Sequence, residues 1–239
     1  MYVLTQQMLR SNPHVVGCAI AFEPSYYLEK GVMYSPYSYR DGNNIYSKQL
    51  GTKDYDYHYM DWYQIPKLLG KAYWSEPYYD DGGADLIMTT YSYPLYDSEG
   101  KLYAIFTADL SLEWFTDKVE AIKPYPNSFN MMIGRGGKFL VHWNKECILN
   151  ETVFATSKLV NGEELKELGH QMVAGERGML PFGESKTELT MFYAPVKSTG
   201  WSVAVACLHS DVFAGVDSLL NIIIIIGFLG LLLLAGFCY

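Results

Sequence analysis

Charge is sparse in this 239-residue chain, and what there is leans one way. Charged side chains make up 18% of it, and 18 Lys and Arg against 26 Asp and Glu leave a formal net charge of −8 at pH 7. Nucleic-acid binding needs a positive field, so that class is excluded. Cysteine is scarce as well. Cys18, Cys147, Cys207 and Cys238 lie far apart, with no CxxC pair, which offers neither a zinc cluster nor a disulfide framework. Cys18 and Cys207 sit in apolar, strand-like runs and are expected to be buried thiols. The five His (14, 58, 142, 170 and 209) are isolated, and HExxH and GxSxG are missing. The RGGK turn at 135–138 has no helix behind it, as a phosphate loop would require. No nucleophile–base pair or metal cluster is in sight, so no catalysis, metal or cofactor is expected within this chain. The opening MYVLTQQMLRSNPHVVG lacks a basic region followed by an apolar one and is no signal peptide. Either the following domain is cytoplasmic, or a signal or anchor helix precedes it.

Two things are in excess. The first is an uncharged run, SLLNIIIIIGFLGLLLLAGFCY, from Ser218 to Tyr239. As a helix it would reach about 33 Å, against about 30 Å for a hydrocarbon core. A membrane span is expected within 211–239, with a buried core helix as the plainer alternative. The chain stops inside or just past this run, and the expectation is truncation before a cytoplasmic domain, with a tail anchor as the alternative.

The second excess is tyrosine, 21 residues, most of them before position 110. Seven fall between Tyr55 and Tyr79, with Trp62 and Trp74 among them. Tyr combines a flat apolar face with one hydroxyl, and a cluster of them suits a pocket for a small polar molecule. Carboxylates nearby would favour a cationic group. The plainer reading is that these loops cap a sheet. Asp109 interrupts the apolar run AIFTADL. A carboxylate there must be paired or hydrogen-bonded, as a turn cap or as an acceptor for a ligand ammonium.

Periodicity supplies the elements. TQQMLRSNP is expected to be the last turns of a helix ending at Asn12–Pro13. VVGCAIAF (15–22) is a buried strand, EPSYYLEKGVMYSPYSYRDGNN (23–44) is irregular, and DWYQIPKLLG (61–70) is a short helix ending at Gly70. YWSEPYYDDGGADL (73–86) is expected to be a loop. Strands at 86–97 and 101–112 form a hairpin around SEG, and EWFTDKVEAI forms a helix or linker. Two more hairpins follow, 128–134 with 138–143 and 187–196 with 201–208, with an amphipathic helix between them ending near Gly175. Hairpins with helices to one side make an α+β fold of antiparallel sheets. Pro124 and Pro126 place a boundary near 119–127, which gives two small units.

This order of features resembles the double Cache (dCache) sensor domain of bacterial transmembrane receptors. The resemblance covers about residues 10–215 and is carried mainly by DWYQIPKLLGKAYWSEPYYDDGGADLIMTTYSYPLYDSEGKLYAIFTADLSLEWF (61–115). Its elements are the Trp-Tyr helix, the W-x-x-P-Y-x-D loop, the T-T-Y-S-x-P strand and the D-x-S-L-x-W exit strand, and SFNMMIGRGGKFLVHWN is similar to the family's membrane-proximal module. The resemblance implies tandem PAS-like modules: the end of a long N-terminal helix at 1–13, a membrane-distal ligand-binding module at 14–122, a membrane-proximal module at 123–210 and a transmembrane helix at 211–239. It also implies a homodimer in the inner (cytoplasmic) membrane with its sensor region extracytoplasmic or periplasmic. The output would be that of a histidine kinase, a PP2C-type phosphatase, a cyclic-dinucleotide enzyme or a chemoreceptor.

Many family members bind amino acids, and their motif falls here on Tyr55, Trp62, Tyr63, Tyr78, Asp80 and Asp109, with Tyr91 as a further candidate. The family's carboxylate-gripping Arg falls at Met60, which cannot supply bidentate donors. The expected ligand is therefore a small amine or an amino-acid-like molecule. The alternative is a membrane-anchored adhesion module with a Tyr-rich contact surface. A deep cavity beside Asp109 would favour the sensor, and a flat aromatic patch would favour adhesion.

Overall fold

A computed structural model describes residues 1–53, 55–81, 84–156, 162–182 and 189–237. The Gly82-Gly83 turn, the first two residues of the 187–196 strand and the end of the apolar run at 238–239 lie outside these. The N-terminal helix α1 (Tyr2–Ser11) stops where Pro13 approaches, and Asn12 is already extended at φ −133°. It docks through Thr5, whose Oγ1 lies 2.7 Å from Ser38 Oγ, and through Arg40, whose Nη2 donates to Leu9 O at 2.7 Å.

The first antiparallel sheet is built from β1 (Val15–Phe22), β2 (Ser35–Asp41), β3 (Asn44–Leu50), β4 (Tyr73–Trp74), β5 (Tyr78–Tyr79), β6 (Ile87–Tyr96) and β7 (Leu102–Ser111). Its order is β3-β2-β1-β7-β6-β4, with β5 also on β6. The stretch expected to be irregular holds β2, and the two-residue Gly42-Asn43 loop, with Gly42 at φ +55°, turns it back into β3. A glycine at positive φ in the first loop position is a hairpin signal that outweighs the polar, Tyr-rich composition. The expected 73–86 loop likewise contributes two two-residue strands to β6.

Strand alternation decides what each face meets. On β1 and β7, Cys18, Ala108 and their neighbours pack beneath Leu9 of α1. On the opposite face, Ala21 and Ile105 pack against Tyr57, Trp62 and Tyr63. The last two come from α2 (Asp61–Leu69), which ends at Gly70 in the left-handed conformation, φ +64°, its N–H bonded to Pro66 O.

β7 leads straight into α3 (Leu112–Glu120), N-capped by Ser111, whose Oγ accepts from Trp114 N at 3.1 Å. α3 lies on a second antiparallel sheet formed by β8 (Phe129–Ile133), β9 (Phe139–Val141), β10 (Gly178–Phe182), β11 (Leu189–Val196) and β12 (Trp201–Leu208), in the order β10-β11-β12-β8-β9. Leu112 and Val119 of α3 pack with Met132, Leu140, Val141 and Trp201. The other face is covered by α4 (Val153–Thr156) and α5 (Gly162–Val173), through Val153, Leu165, Leu168 and Met172. The chain is thus α+β, with two antiparallel sheets in succession.

β12 continues without a loop into α6 (His209–Phe237). Its segment His209–Leu231 has a mean hydropathy of 2.3, and none of its apolar window is buried. By length and composition it is able to cross a membrane.

Candidate functional site

Three neighbouring strands place the chemistry. Gly17 on β1, Asp109 on β7 and Thr90 on β6 stand opposite one another in register. Asp109 is only 2% exposed. Thr90 Oγ1 donates to its Oδ1 at 2.8 Å, and the Tyr78 hydroxyl lies 2.8 Å from the same Thr90 oxygen. A hydroxyl has one proton to give, so Tyr78 donates to Thr90 and Thr90 to Asp109. Gly17 is required by this cluster, because a Cβ there would collide with Asp109 Oδ2 and with the Tyr37 hydroxyl. That is the close approach for which a glycine within a strand is kept.

Burial pushes the Asp109 carboxyl up from 3.8 to about 7. The Thr90 bond and the nearby Tyr37 hydroxyl pull it down, and Asp80 pushes it up. The Tyr37 hydroxyl is buried without a hydrogen bond of good geometry, so its hold on Asp109 is weak. Asp80 is also buried. Desolvation raises its pKa, while the Ala84 N–H (2.6 Å to Oδ2) and the Lys48 ammonium oppose the rise. Burial drives Tyr37 and Tyr78 upward, with Asp109 adding to it, and Tyr55 to about 12.

These groups surround a cavity of about 10 Å³, room for roughly one water. Of the residues predicted from sequence, Tyr55, Trp62, Tyr78, Asp80 and Asp109 line it. Tyr63 does not. It is buried in the packing beside Tyr57, and its hydroxyl donates to Glu23 Oε1 at 2.5 Å, where Lys67 Nζ also donates at 2.7 Å. Tyr91 does not either. It follows Thr90 on β6, so it points to the other face, where its ring meets Trp74 at 5.1 Å. His58 packs on Tyr57 and Tyr63, away from the lining.

Sequence reasoning missed Gly17, Tyr37, Thr90 and Thr107. Tyr37 lay in the stretch expected to be irregular. Thr90 and Thr107 carried a usable signal, since they fall on the alternation positions that share a face with Asp109.

Beside the cavity runs a groove of about 410 Å³ lined by Tyr59, Met60, Asp61, Tyr73, Ser75, Glu76 and Pro77. Trp62 and Tyr78 belong to both and form the partition. Met60 therefore faces the groove. Two carboxylates and four aromatic side chains, with no Lys or Arg among the described lining residues, make an environment that accepts a cation. The Lys48 ammonium, which acts on Asp80, lies over the rings of Tyr37 and Tyr39, at 5.9 and 4.7 Å from their centroids.

Residues 1–117 match the family described as "Methyl-accepting chemotaxis protein-like, first PDC sensor domain". No curated protein sequence matches the chain. Among solved structures, the extracellular domain of a protein assigned as the histidine kinase mmHK1S-Z3 is 24% identical, with a TM-score of 0.74 over 91% of this chain and 81% of that one. The periplasmic sensory domain of the Campylobacter jejuni chemoreceptor Tlp1 is 13% identical, with a TM-score of 0.62 over 87% of this chain and 77% of that one. The ligand-binding domain of the Pseudomonas aeruginosa PAO1 amino acid chemoreceptor PctB, in complex with L-Arg, is 15% identical, with a TM-score of 0.55 over 90% of this chain and 75% of that one. These similar proteins are sensor regions of receptors. The first half of the chain thus carries the match to a chemoreceptor-type sensor domain, and the chain has the tandem Cache-type fold of receptor sensor regions.

Proposed function

We infer that this chain is the extracytoplasmic sensing region of a transmembrane receptor, which binds a small amine or amino-acid-like molecule at the Asp109 cavity. The observation that carries this reading is the convergence of Asp80 and Asp109 with Tyr37, Tyr55, Trp62 and Tyr78 on one buried site with no Lys or Arg among its described lining residues. An ammonium suits it, through charge-assisted hydrogen bonds to the carboxylates and the faces of the aromatic rings. A guest larger than one water has to part Trp62 from Tyr78 and extend into the groove. With Met60 where a carboxylate clamp would stand, the amine end dominates recognition.

In this reading 14–122 is the distal, ligand-binding module and 123–210 the proximal one. The 211–239 segment spans the inner membrane, and two copies pair in the receptor. PctB, solved with L-Arg, supports the amino-acid-like class. The adhesion alternative draws on Tyr59 and Tyr79, which are exposed, whereas Tyr57 and Tyr63 of the same cluster are wholly buried. Calorimetry with a panel of primary amines and α-amino acids tests the reading. The expected result is amine binding that is lost in Asp109→Ala. Tight binding of a plain amino acid, unchanged by that substitution, would overturn it.

A further inference from the structure

A short chemical path joins the cavity to the second sheet. Glu76 stands two residues before Tyr78, and its carboxylate reaches across to the β8–β9 turn. Its Oε1 accepts from Arg135 N at 3.3 Å, from Arg135 Nη1 at 3.0 Å and from the Trp201 indole Nε1 at 3.0 Å. Arg135 returns the contact. Its Nη2 donates to Trp74 O at 2.6 Å, its Nη1 donates to the Tyr73 hydroxyl at 3.2 Å, and its guanidinium sits 4.9 Å from the Tyr73 ring centroid. The seat is shaped as well as charged. A Cβ on Gly134 would collide with Glu76 Oε2, and the backbone at Gly134 has no left-handed φ that would itself demand glycine. A side chain at 134 would push the part-exposed Glu76 carboxylate off this seat.

Both ends of this contact are tied to larger elements. Pro77 fixes one of the backbone angles between Glu76 and Tyr78 and so limits their independent movement, and Tyr78 leads through Thr90 to Asp109. At the other end Trp201 is 1% exposed and opens β12, which runs directly into α6. An exposed ion pair alone contributes little. Here one oxygen holds three donors, one of them on a core tryptophan.

We propose that Glu76 is a strut that couples the state of the Asp109 cavity to β12 and through it to α6. It acts as a positioning residue, through Arg135 and Trp201. This rests on reading the cavity as the sensing site. A parallel contact runs from Trp74 through Phe115 to Trp201, with ring centroids 6.2 and 5.5 Å apart, so removal of Glu76 weakens the coupling without abolishing it.

The test is backbone hydrogen exchange on the whole chain in detergent micelles. Tyr78→Phe removes only the hydroxyl that joins Thr90, and Thr90→Val is a stronger form of the same perturbation. In the wild-type background each is expected to change exchange along β12 by at least about twofold, the low end of coupling within one hydrogen-bond network. In a Glu76→Ala or a Gly134→Ala background the β12 response is expected to fall by at least half, while the response of β6 and β7 persists. A β12 response of equal size in all backgrounds, or none in the wild type, overturns the strut. Failure of every amine to bind in calorimetry would overturn the sensing reading and leave the exchange result standing. Amine binding with an unresponsive β12 would overturn the strut alone.

Discussion

Asp109 offers the sharpest prediction, because its burial fixes a sign as well as a size. The folded chain holds its proton up to about pH 7, against 3.8 for the ordinary carboxyl. The unfolded chain releases that proton near the ordinary value. Between those two pH values the folded state binds more protons, so stability is full below about 3.8 and falls as pH rises through 7. At 1.36 kcal/mol per unit the whole loss is roughly 4 kcal/mol. Asp109→Asn removes the titration. Urea unfolding of the whole chain in detergent should show the variant matching the wild type at pH 4 and exceeding it by several kcal/mol at pH 8, while amine binding disappears. A carboxylate destabilises this site and is useful only for what it binds.

Binding itself should move the same proton. An ammonium pairs with the ionised carboxylate, so at pH 6 each amine bound should release about 0.9 proton, the fraction protonated for a group titrating near 7. Calorimetry in two buffers of different ionisation enthalpy measures this. Amine affinity should also rise about tenfold per pH unit below 7. Release of no proton, or an affinity that is flat from pH 5 to 7, would refute the assignment of Asp109 as the acceptor. A wild type no less stable than Asp109→Asn at pH 8 would refute the burial argument.

Other substitutions separate packing from recognition. Gly17→Ala forces Asp109 and Tyr37 apart. It should cost about 1–3 kcal/mol, as overpacking does, and should abolish amine binding in calorimetry. Tyr63→Phe breaks the bond to Glu23 and should lower stability by about 1–2 kcal/mol in urea melts, with amine affinity within about twofold of wild type. A larger loss of affinity would return Tyr63 to the site. In α6, Leu229→Arg should cost about 2.5–3.5 kcal/mol of membrane insertion at mid-helix, measurable with a glycosylation-based insertion assay. An insertion efficiency equal to wild type would refute a span centred there.

The strong periodic signals were legible in the sequence because each is local. Apolar alternation gave β1, β6, β7, β11 and β12, Gly70 marked the end of α2, and the uncharged run marked α6. Five of the residues that line the cavity could be named before any fold was in hand. Asp109 betrayed itself as a charge within an apolar strand, and Tyr55, Trp62, Tyr78 and Asp80 through the family pattern. Tyr91 shows where the same reasoning fails. It differs from Thr90 by one position, and on a pleated strand that one step moves a side chain to the opposite face. Tyr63 fails differently, since its helix turns it into the packing beside Tyr57, where Glu23 takes its hydroxyl.

What the sequence determined by itself is therefore what depends on neighbours along the chain: the strongly periodic strands, the end of α2, the uncharged run and the acid–aromatic inventory. The tertiary structure decided what depends on neighbours across it. Gly17, Thr90 and Asp109 come from three strands, and only register brings them side by side. Glu76 and Trp201 are 125 residues apart and meet only in the folded chain, where Glu76 accepts from the Trp201 indole. A residue's alternation is written in its own segment. Its partner across the sheet is set by pairing, and pairing is a property of the whole fold.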